Sequence, residues 1–400
     1  MPEPTILQVV PRLETGGSEQ TTLEIADALT RTGARALVAT EGGRMAAKLI
    51  QAGGQIFSLP VASKNPATML ANAARLVRLV KEHNIDLIHA RSRAPAWSAL
   101  FAARWTGRPF VTTYHGSYES VGPLKAAYNG VMGRGDRVIA NSLYTANLIA
   151  SRHNLSPERL HVIYRGVDLS EFRPGLVSED RVERLRTAWG VKNEQPVVLQ
   201  AARLTSWKGQ RLVIQAAKQL RNENRLGNAV FVMAGDAQGR DGYREELDQL
   251  VAASSLEENV KLVGHCDDMP AAFALARVAV IASTRAETFG RTSIEAQAMG
   301  CPVIVSDIGA APETILAARQ GEPDYTGWIV ACDSAAAIAE RVNEALAISP
   351  EERTALGVRA QHHVAGKFSL REMQRKTLSV YDELLGRRLS DRFDKGSQNR

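Results

Sequence analysis

The sequence predicts an α/β protein built from two successive doubly wound domains, and three observations predict it. Short apolar runs rich in Val, Ile and Thr alternate with amphipathic helical stretches along the chain, the pattern of parallel sheets covered by helices. The alternation restarts just before the midpoint. The chain has 400 residues, more than one core usually organises, so two domains of roughly 150 to 200 residues each are expected.

In the first half the runs at 5–10, 35–40, 55–60, 86–90, 109–114, 137–141 and 160–164 are the expected strands. Helices fall between them. From Pro66 to His83, for example, Met69, Leu70, Ala73, Leu76, Val77 and Val80 recur at helical spacing, with Arg75, Arg78 and Lys81 mostly on the other side. In the second half, 196–204, 229–235, 260–264, 278–283 and 302–307 are expected strands. The polar stretch "RGVDLSEFRPG" at 165–175 holds Gly166, Pro174 and Gly175 and no sustained apolar period, so it marks the boundary. The expected organisation is a domain over 1–170, a second over 171–368, a helix over 369–386 and a polar tail over 387–400. That helix carries apolar Met373, Leu378, Val380, Tyr381 and Leu384 and is expected to dock on a domain surface. The tail is expected to be disordered. Doubly wound sheets bind ligands beyond the carboxyl ends of their strands, so two such domains facing each other would enclose an interdomain cleft.

Composition narrows the class. Hydrophobic residues at 44% and charged residues at 23% exclude collagen-like, low-complexity and disordered chains. Cys266, Cys301 and Cys332 are odd in number and widely spaced, with no CxxC, as expected for reduced thiols in a cytosolic protein. The first residues lack a basic segment followed by an apolar run, and no window reaches 18 apolar residues, so neither secretion nor membrane spanning is expected.

The net charge of +6 is uneven. Residues 1–170 hold 19 Lys and Arg against 12 Asp and Glu, while the rest hold 30 against 31. Arg75, Arg78, Lys81, Arg91, Arg93, Arg104 and Arg108 face only Glu82 and Asp86 over 75–108. Such an excess suits an anionic partner, or it is a solvated basic face. Nucleic acid is disfavoured: no helix-turn-helix, RNP-like or zinc-finger pattern occurs, and stacking aromatics do not interleave the basic residues.

"PRLETGGSEQ" follows the first strand but is not GxGxxG, and "TSWKGQ" is not a P-loop. No D-x-D triplet occurs, so no carboxylate-held metal and no cofactor are expected. A bound diphosphate would need other neutralisation. Gly16 and Gly17, before a helix whose first turn holds Glu19, would let backbone amides approach an oxyanion; taken alone, the pair is equally a tight turn. Arg203 and Lys208 follow a second-domain strand and could pair with two phosphates, or be ordinary loop charges. In "AETFGRTSIEAQAMG", Glu287 lies on a loop and Glu295 in the first turn of a helix, with Phe289 and Gly290 between. Two carboxylates so placed could grip two hydroxyl-bearing groups of one ligand.

The ordered set "GGSEQ", "YHG", "NSLYT", "YRGVD", "ARLTSWKG", "VGHCDDMP" and "ETFGRTSIEAQAMGCPVI" over 16–304 resembles the retaining nucleotide-sugar glycosyltransferases of family 4, group 1. The resemblance implies a GT-B fold of two Rossmann-like domains. It implies that Glu295 holds the ribose, that Glu287 with the amides of Phe289 and Gly290 holds the donor sugar, and that Arg203 and Lys208 bind the diphosphate. Gly16 and Gly17 would approach that diphosphate, His115 would line the reaction centre, and His265 would lie near the base. His115, Glu287, Arg203 and Lys208 are thus the expected catalytic group, with no metal. Arg91 and Arg93, directly after the strand "DLIHA", are expected to emerge at its carboxyl end and meet an anionic acceptor. "HARSRAPAW" and "TTYHGSYES" further resemble bacterial enzymes of lipopolysaccharide core assembly, implying a cytoplasmic protein at the inner-membrane surface that transfers a hexose to an anionic glycolipid. Transfer into exopolysaccharide or another glycoconjugate, or a non-catalytic nucleotide-sugar-binding module, are the alternatives. Oligomeric state is not specified by the sequence. Two departures from the motif stand out: Arg165 where asparagine is usual, and Gly309-Ala310 where two glycines are usual, the latter bearing on Glu313 as a site residue.

Overall fold

The structure is a computed structural model that describes residues 3–14, 16–118, 122–319 and 324–398. It comprises two compact units, Met1–Arg165 with Leu370–Arg400, and Gly166–Ser369.

The first unit is a parallel sheet of β1 (Thr5–Val9), β2 (Arg35–Thr40), β3 (Gln55–Ser58), β4 (Leu87–Ala90), β5 (Phe110–Tyr114), β6 (Arg137–Ala140) and β7 (Leu160–Val162), in the order β3-β2-β1-β4-β5-β6-β7. The second is a parallel sheet of β8 (Val197–Ala201), β9 (Val230–Ala234), β10 (Val260–Gly264), β11 (Ala276–Ile281), β12 (Val303–Ser306) and β13 (Gly327–Val330), in the order β10-β9-β8-β11-β12-β13. Central strands such as β1, β5 and β9 are buried along their whole length, because helices cover both faces of a doubly wound sheet. Helix Pro66–Glu82 shows how local sequence sets an element. Asn65 accepts from the Ala67 and Thr68 amides, Pro66 opens the first turn, and Ala73, Leu76 and Val80 are buried.

In each sheet the strand order reverses once, between β1 and β4 and between β8 and β11. At such a point the loops leaving neighbouring strands diverge to opposite faces and leave a crevice beyond the carboxyl ends. Most candidate residues follow these strands, Gly16 and Gly17 after β1, Arg91 and Arg93 after β4, Arg203 and Lys208 after β8, and Glu287, Phe289, Gly290 and Glu295 after β11.

Two features differ from the sequence reading, β13 and the tail. Strand β13 was not expected; "GWIV" is only four residues long and opens on a Gly, which leaves little signal for a strand. Helix Leu370–Leu385 joins the first unit, burying Met373, Leu378, Val380 and Tyr381 against Ile6, Ile25 and Leu29. The tail is not disordered over its described length: Leu389–Gln398 is helical, and Leu389 and Phe393 are each 1% exposed in the same core. The Asp382 carboxylate accepts from the Leu389 and Ser390 amides, at 2.6 and 2.9 Å. One apolar pair at i and i+4 inside a charged segment is easily read as loop, yet both its side chains are buried. Residues 399–400 of that tail lie outside the described residues. The three cysteines are unbridged, and burial pushes the Cys301 thiol up to about 12.

Candidate active site

In the second unit the loops after β8 and β11 flank the crevice. The loop after β8 carries Arg203 and Lys208, and that after β11 carries Glu287, Phe289 and Gly290 before helix Arg291–Ala298. Lys208 Nζ donates to Glu287 Oε2 at 2.6 Å, with both side chains less than a fifth exposed. Ser283 Oγ donates to the other carboxylate oxygen, so Glu287 is held from two sides. The Lys208 ammonium also lies 4.6 Å from the Trp207 ring centroid, and its backbone carbonyl accepts from Gln200 Nε2 at 2.7 Å. Gly209 follows with φ +77°, and a side chain there would strike the Ala282 carbonyl, so only glycine lets the two loops approach.

Gly290 is the residue before helix Arg291–Ala298, and open space surrounds the position of an added Cβ. Glu295 sits one turn into the helix, 3.4 Å from Arg291 Nε. Phe289 is buried, its ring 5.9 Å from that of Phe368. Arg203 is exposed and reaches Gln238 Oε1 at 3.5 Å. His265 follows β10, is exposed, and stands 3.0 Å from Asp267. Gly309 has φ +63°, and a Cβ there would lie 2.6 Å from the Glu287 carbonyl. The glycine retained at 309 is thus the one that the Glu287 loop needs, while Ala310 donates its amide to the same carbonyl at 2.9 Å. Glu313 lies in a short turn after it, its carbonyl 3.4 Å from Lys367 Nζ.

In the first unit Gly16 precedes helix Gly17–Arg31 in extended conformation. His115 follows β5, and its Nδ1 lies 2.7 Å from Arg165 Nη2. The Arg165 guanidinium also packs on Gly17: an added Cβ there would lie 2.7 Å from Arg165 Cζ. His115 is held well below the ordinary histidine value of 6.5, first by burial and then by the Arg165 and Arg91 charges.

Arg91 and Arg93 part company. Arg91 was expected to face an acceptor, but it is 1% exposed and donates through Nε to Gln8 Oε1 at 2.7 Å. Side chains alternate along a strand, so Arg91 shares the face of His89, whose ring nitrogens meet Tyr381 Oη at 2.6 Å and Thr113 Oγ1 at 2.7 Å. That face lies under helices, and burial lowers the Arg91 pKa from its ordinary value. Arg93, on the first helical turn, is only half-buried. It donates to Asn129 Oδ1 at 2.7 Å and stacks 4.3 Å above the Tyr118 ring. Two groups escaped sequence reasoning: Ser283, for which no signal existed, and Arg165, which the motif departure marked without giving it a role.

Among the described residues no group of three or more His, Cys, Asp or Glu side chains gathers as a metal site, and no helix is long and apolar enough to cross a membrane. Two family models match, Glycosyltransferase Family 4 over residues 15–171 and Glycosyl transferases group 1 over residues 181–363. The D-inositol 3-phosphate glycosyltransferase 1 of Catenulispora acidiphila is 30% identical over 74% of this chain and 72% of its own length. A glycosyltransferase from Rickettsia africae superposes with a TM-score of 0.87 at 32% identity, covering 96% of this chain and 99% of that one. Anabaena Alr3699/HepE in complex with UDP and glucose shares the fold, with a TM-score of 0.81 at 24% identity over 96% of this chain and all of that one. The chain belongs to the group 1, family 4-type glycosyltransferases of GT-B fold.

Proposed function

We propose that the protein transfers a hexose, of mannose or glucose type, from a nucleoside-diphosphate sugar to an anionic glycolipid such as a lipopolysaccharide core, with retention of configuration. The observation that carries the donor half is the convergence of the Lys208 and Glu287 loops at the strand-order reversal of the second unit. A lysine ammonium has three donors. One is committed to Glu287, which fixes where the cation stands, and the others serve the diphosphate together with Arg203. Glu287 and the Phe289 and Gly290 amides take sugar hydroxyls, Glu295 the ribose, and His265 the base end.

As the bond from C1 to the leaving phosphate breaks, Lys208 and Arg203 stabilise the charge growing on that phosphate, the dominant electrostatic demand in a metal-independent transfer. The acceptor oxygen bonds to C1 on the same face, and its proton passes to the departing phosphate oxygen. No carboxylate nucleophile is required, unlike the double displacement of retaining hydrolases.

Several features of the first unit support an anionic, membrane-held acceptor. Its sequence carries the whole positive excess, and Arg93 is positioned but only half-buried. Phe101, Trp105 and Leu124 are exposed by 48%, 79% and 87%, beside Arg104 and Lys125 in sequence, a composition suited to an anionic lipid interface on the cytoplasmic face. The name of the Catenulispora relative supports a second reading, a small phosphorylated cyclitol as acceptor. Radiolabelled sugar from a panel of nucleotide sugars, supplied with extracted lipid or with inositol phosphate, distinguishes them. Label entering the organic phase supports the glycolipid, label on the soluble phosphate supports the cyclitol, and label in neither overturns both.

A further inference from the structure

We propose that Arg165 is a positioning residue that fixes the ring orientation and tautomer of His115, so that the imidazole presents Nε2–H as a hydrogen-bond donor. The inference rests on the reading of His115 as a reaction-centre residue and adds what holds it there.

The geometry leaves one assignment. A guanidinium has five N–H donors, no acceptor, and does not lose its proton in proteins. Arg165 Nη2 stands 2.7 Å from His115 Nδ1, so Nδ1 is the acceptor and carries no hydrogen. A neutral imidazole with a bare Nδ1 carries its proton on Nε2. Protonation of Nδ1 would set N–H against N–H, with a second positive charge beside the first. The described surroundings act in the same direction: His115 is buried, Arg91 and His89 beside it disfavour a further proton, and its backbone bonds the Tyr118 phenol.

Arg165 is itself well held. It is 7% exposed, directly after Ile163 and Tyr164 at the end of β7, and its guanidinium lies over Gly17. A side chain at position 17 would displace it, which ties the glycine to the arginine. Asparagine, usual in the resembling motif, could donate to an imidazole from a shorter arm but would bring no charge. The substitution therefore adds a permanent cation against the Gly16-Gly17 turn and excludes His115 as a proton acceptor. His115 then acts by donating to a sugar hydroxyl, in keeping with the acceptor proton leaving on phosphate.

The test uses the full chain labelled with 15N-histidine, its His115 signals assigned by comparison with H115A. Long-range 15N–1H correlation spectra of wild type, R165K, R165M and R165Q are recorded from about pH 5 to 8, the range in which an ordinary histidine titrates. Wild type and R165K are expected to show a bare Nδ1, a protonated Nε2 and no titration. R165M is expected to show mixed tautomers or titration toward the ordinary value, and R165Q, whose amide can still donate to Nδ1 but brings no charge, is expected to show titration toward that value. In parallel, kcat/KM should fall about tenfold to a hundredfold in R165M and acquire an acid limb absent from wild type, with partial recovery in R165K. R165Q provides the same readout if R165M does not fold. A neutral variant that keeps both the wild-type tautomer and a flat pH profile overturns the proposal. Full activity in H115A would instead overturn the reading of His115 as a reaction-centre residue, while the spectra still decide what Arg165 does.

Discussion

Lys208 Nζ and Glu287 Oε2 stand 2.6 Å apart, although 79 residues separate them in sequence. One residue follows β8 and the other β11, so their meeting is a direct product of the strand order. The relationship predicts divided roles. K208M, losing the cation for the leaving group, should lower kcat by about a hundredfold to a thousandfold. E287Q should chiefly raise the donor KM, since it keeps a polar group near the sugar but no longer anchors the lysine. The double variant should show a coupling energy of about 0.5–3 kcal/mol in steady-state kinetics. Strict additivity would mean that the pair does not act as a unit.

The two arginines after β4 should separate by experiment. R91M leaves the buried Gln8 Oε1 without its donor, so urea denaturation should show a loss of about 1–3 kcal/mol with KM values near wild type. R93A should melt within about 1 kcal/mol of wild type while acceptor kcat/KM falls and donor binding is spared. A wild-type melt for R91M, or unchanged acceptor kinetics for R93A, would contradict this division.

The C-terminal helix should be structural. F393A removes a ring that is 1% exposed and should cost about 3–5 kcal/mol of stability, measured by thermal or chemical unfolding. A disordered tail would tolerate the change without effect.

Acid should destabilise the first unit. Burial holds His89 well below 6.5, with Arg91 contributing, and His115 likewise. Above that value both are neutral folded or unfolded, and they contribute no pH dependence. Below it the unfolded chain binds protons that the folded chain refuses, so stability falls as pH falls, with a slope of up to about 2.7 kcal/mol per pH unit for two groups. Unfolding midpoints in urea between about pH 7 and 5 should show this slope, and H89F should reduce it if the variant folds. A flat midpoint over that window would contradict it.

What the sequence revealed and what it hid follow from physics. The strands were readable because buried parallel strands are continuous apolar runs, and the loop positions of Arg203, Lys208, Glu287 and Gly290 were readable because each follows such a run. Strand β13 and the helix at Leu389 were hidden because a four-residue strand and a single apolar i,i+4 pair give little periodic signal. Arg91 was misplaced because its strand's carboxyl end was legible but not the face on which residues 89 and 91 point. The role of Arg165 depends on Gly17 and His115, both distant in sequence, and only the fold brings them together.

The central claim is that the crevice between β8 and β11 binds a nucleotide sugar. The most direct test is the thermal shift of wild type, K208M and E295Q with UDP-, GDP- and ADP-hexoses. At a ligand concentration a hundredfold above Kd, a binding donor stabilises by about 2.7 kcal/mol. At least one donor should therefore raise the wild-type Tm by several degrees, and the rise should shrink or vanish in both variants. No shift with any donor, or an equal shift in wild type and both variants, would contradict the account.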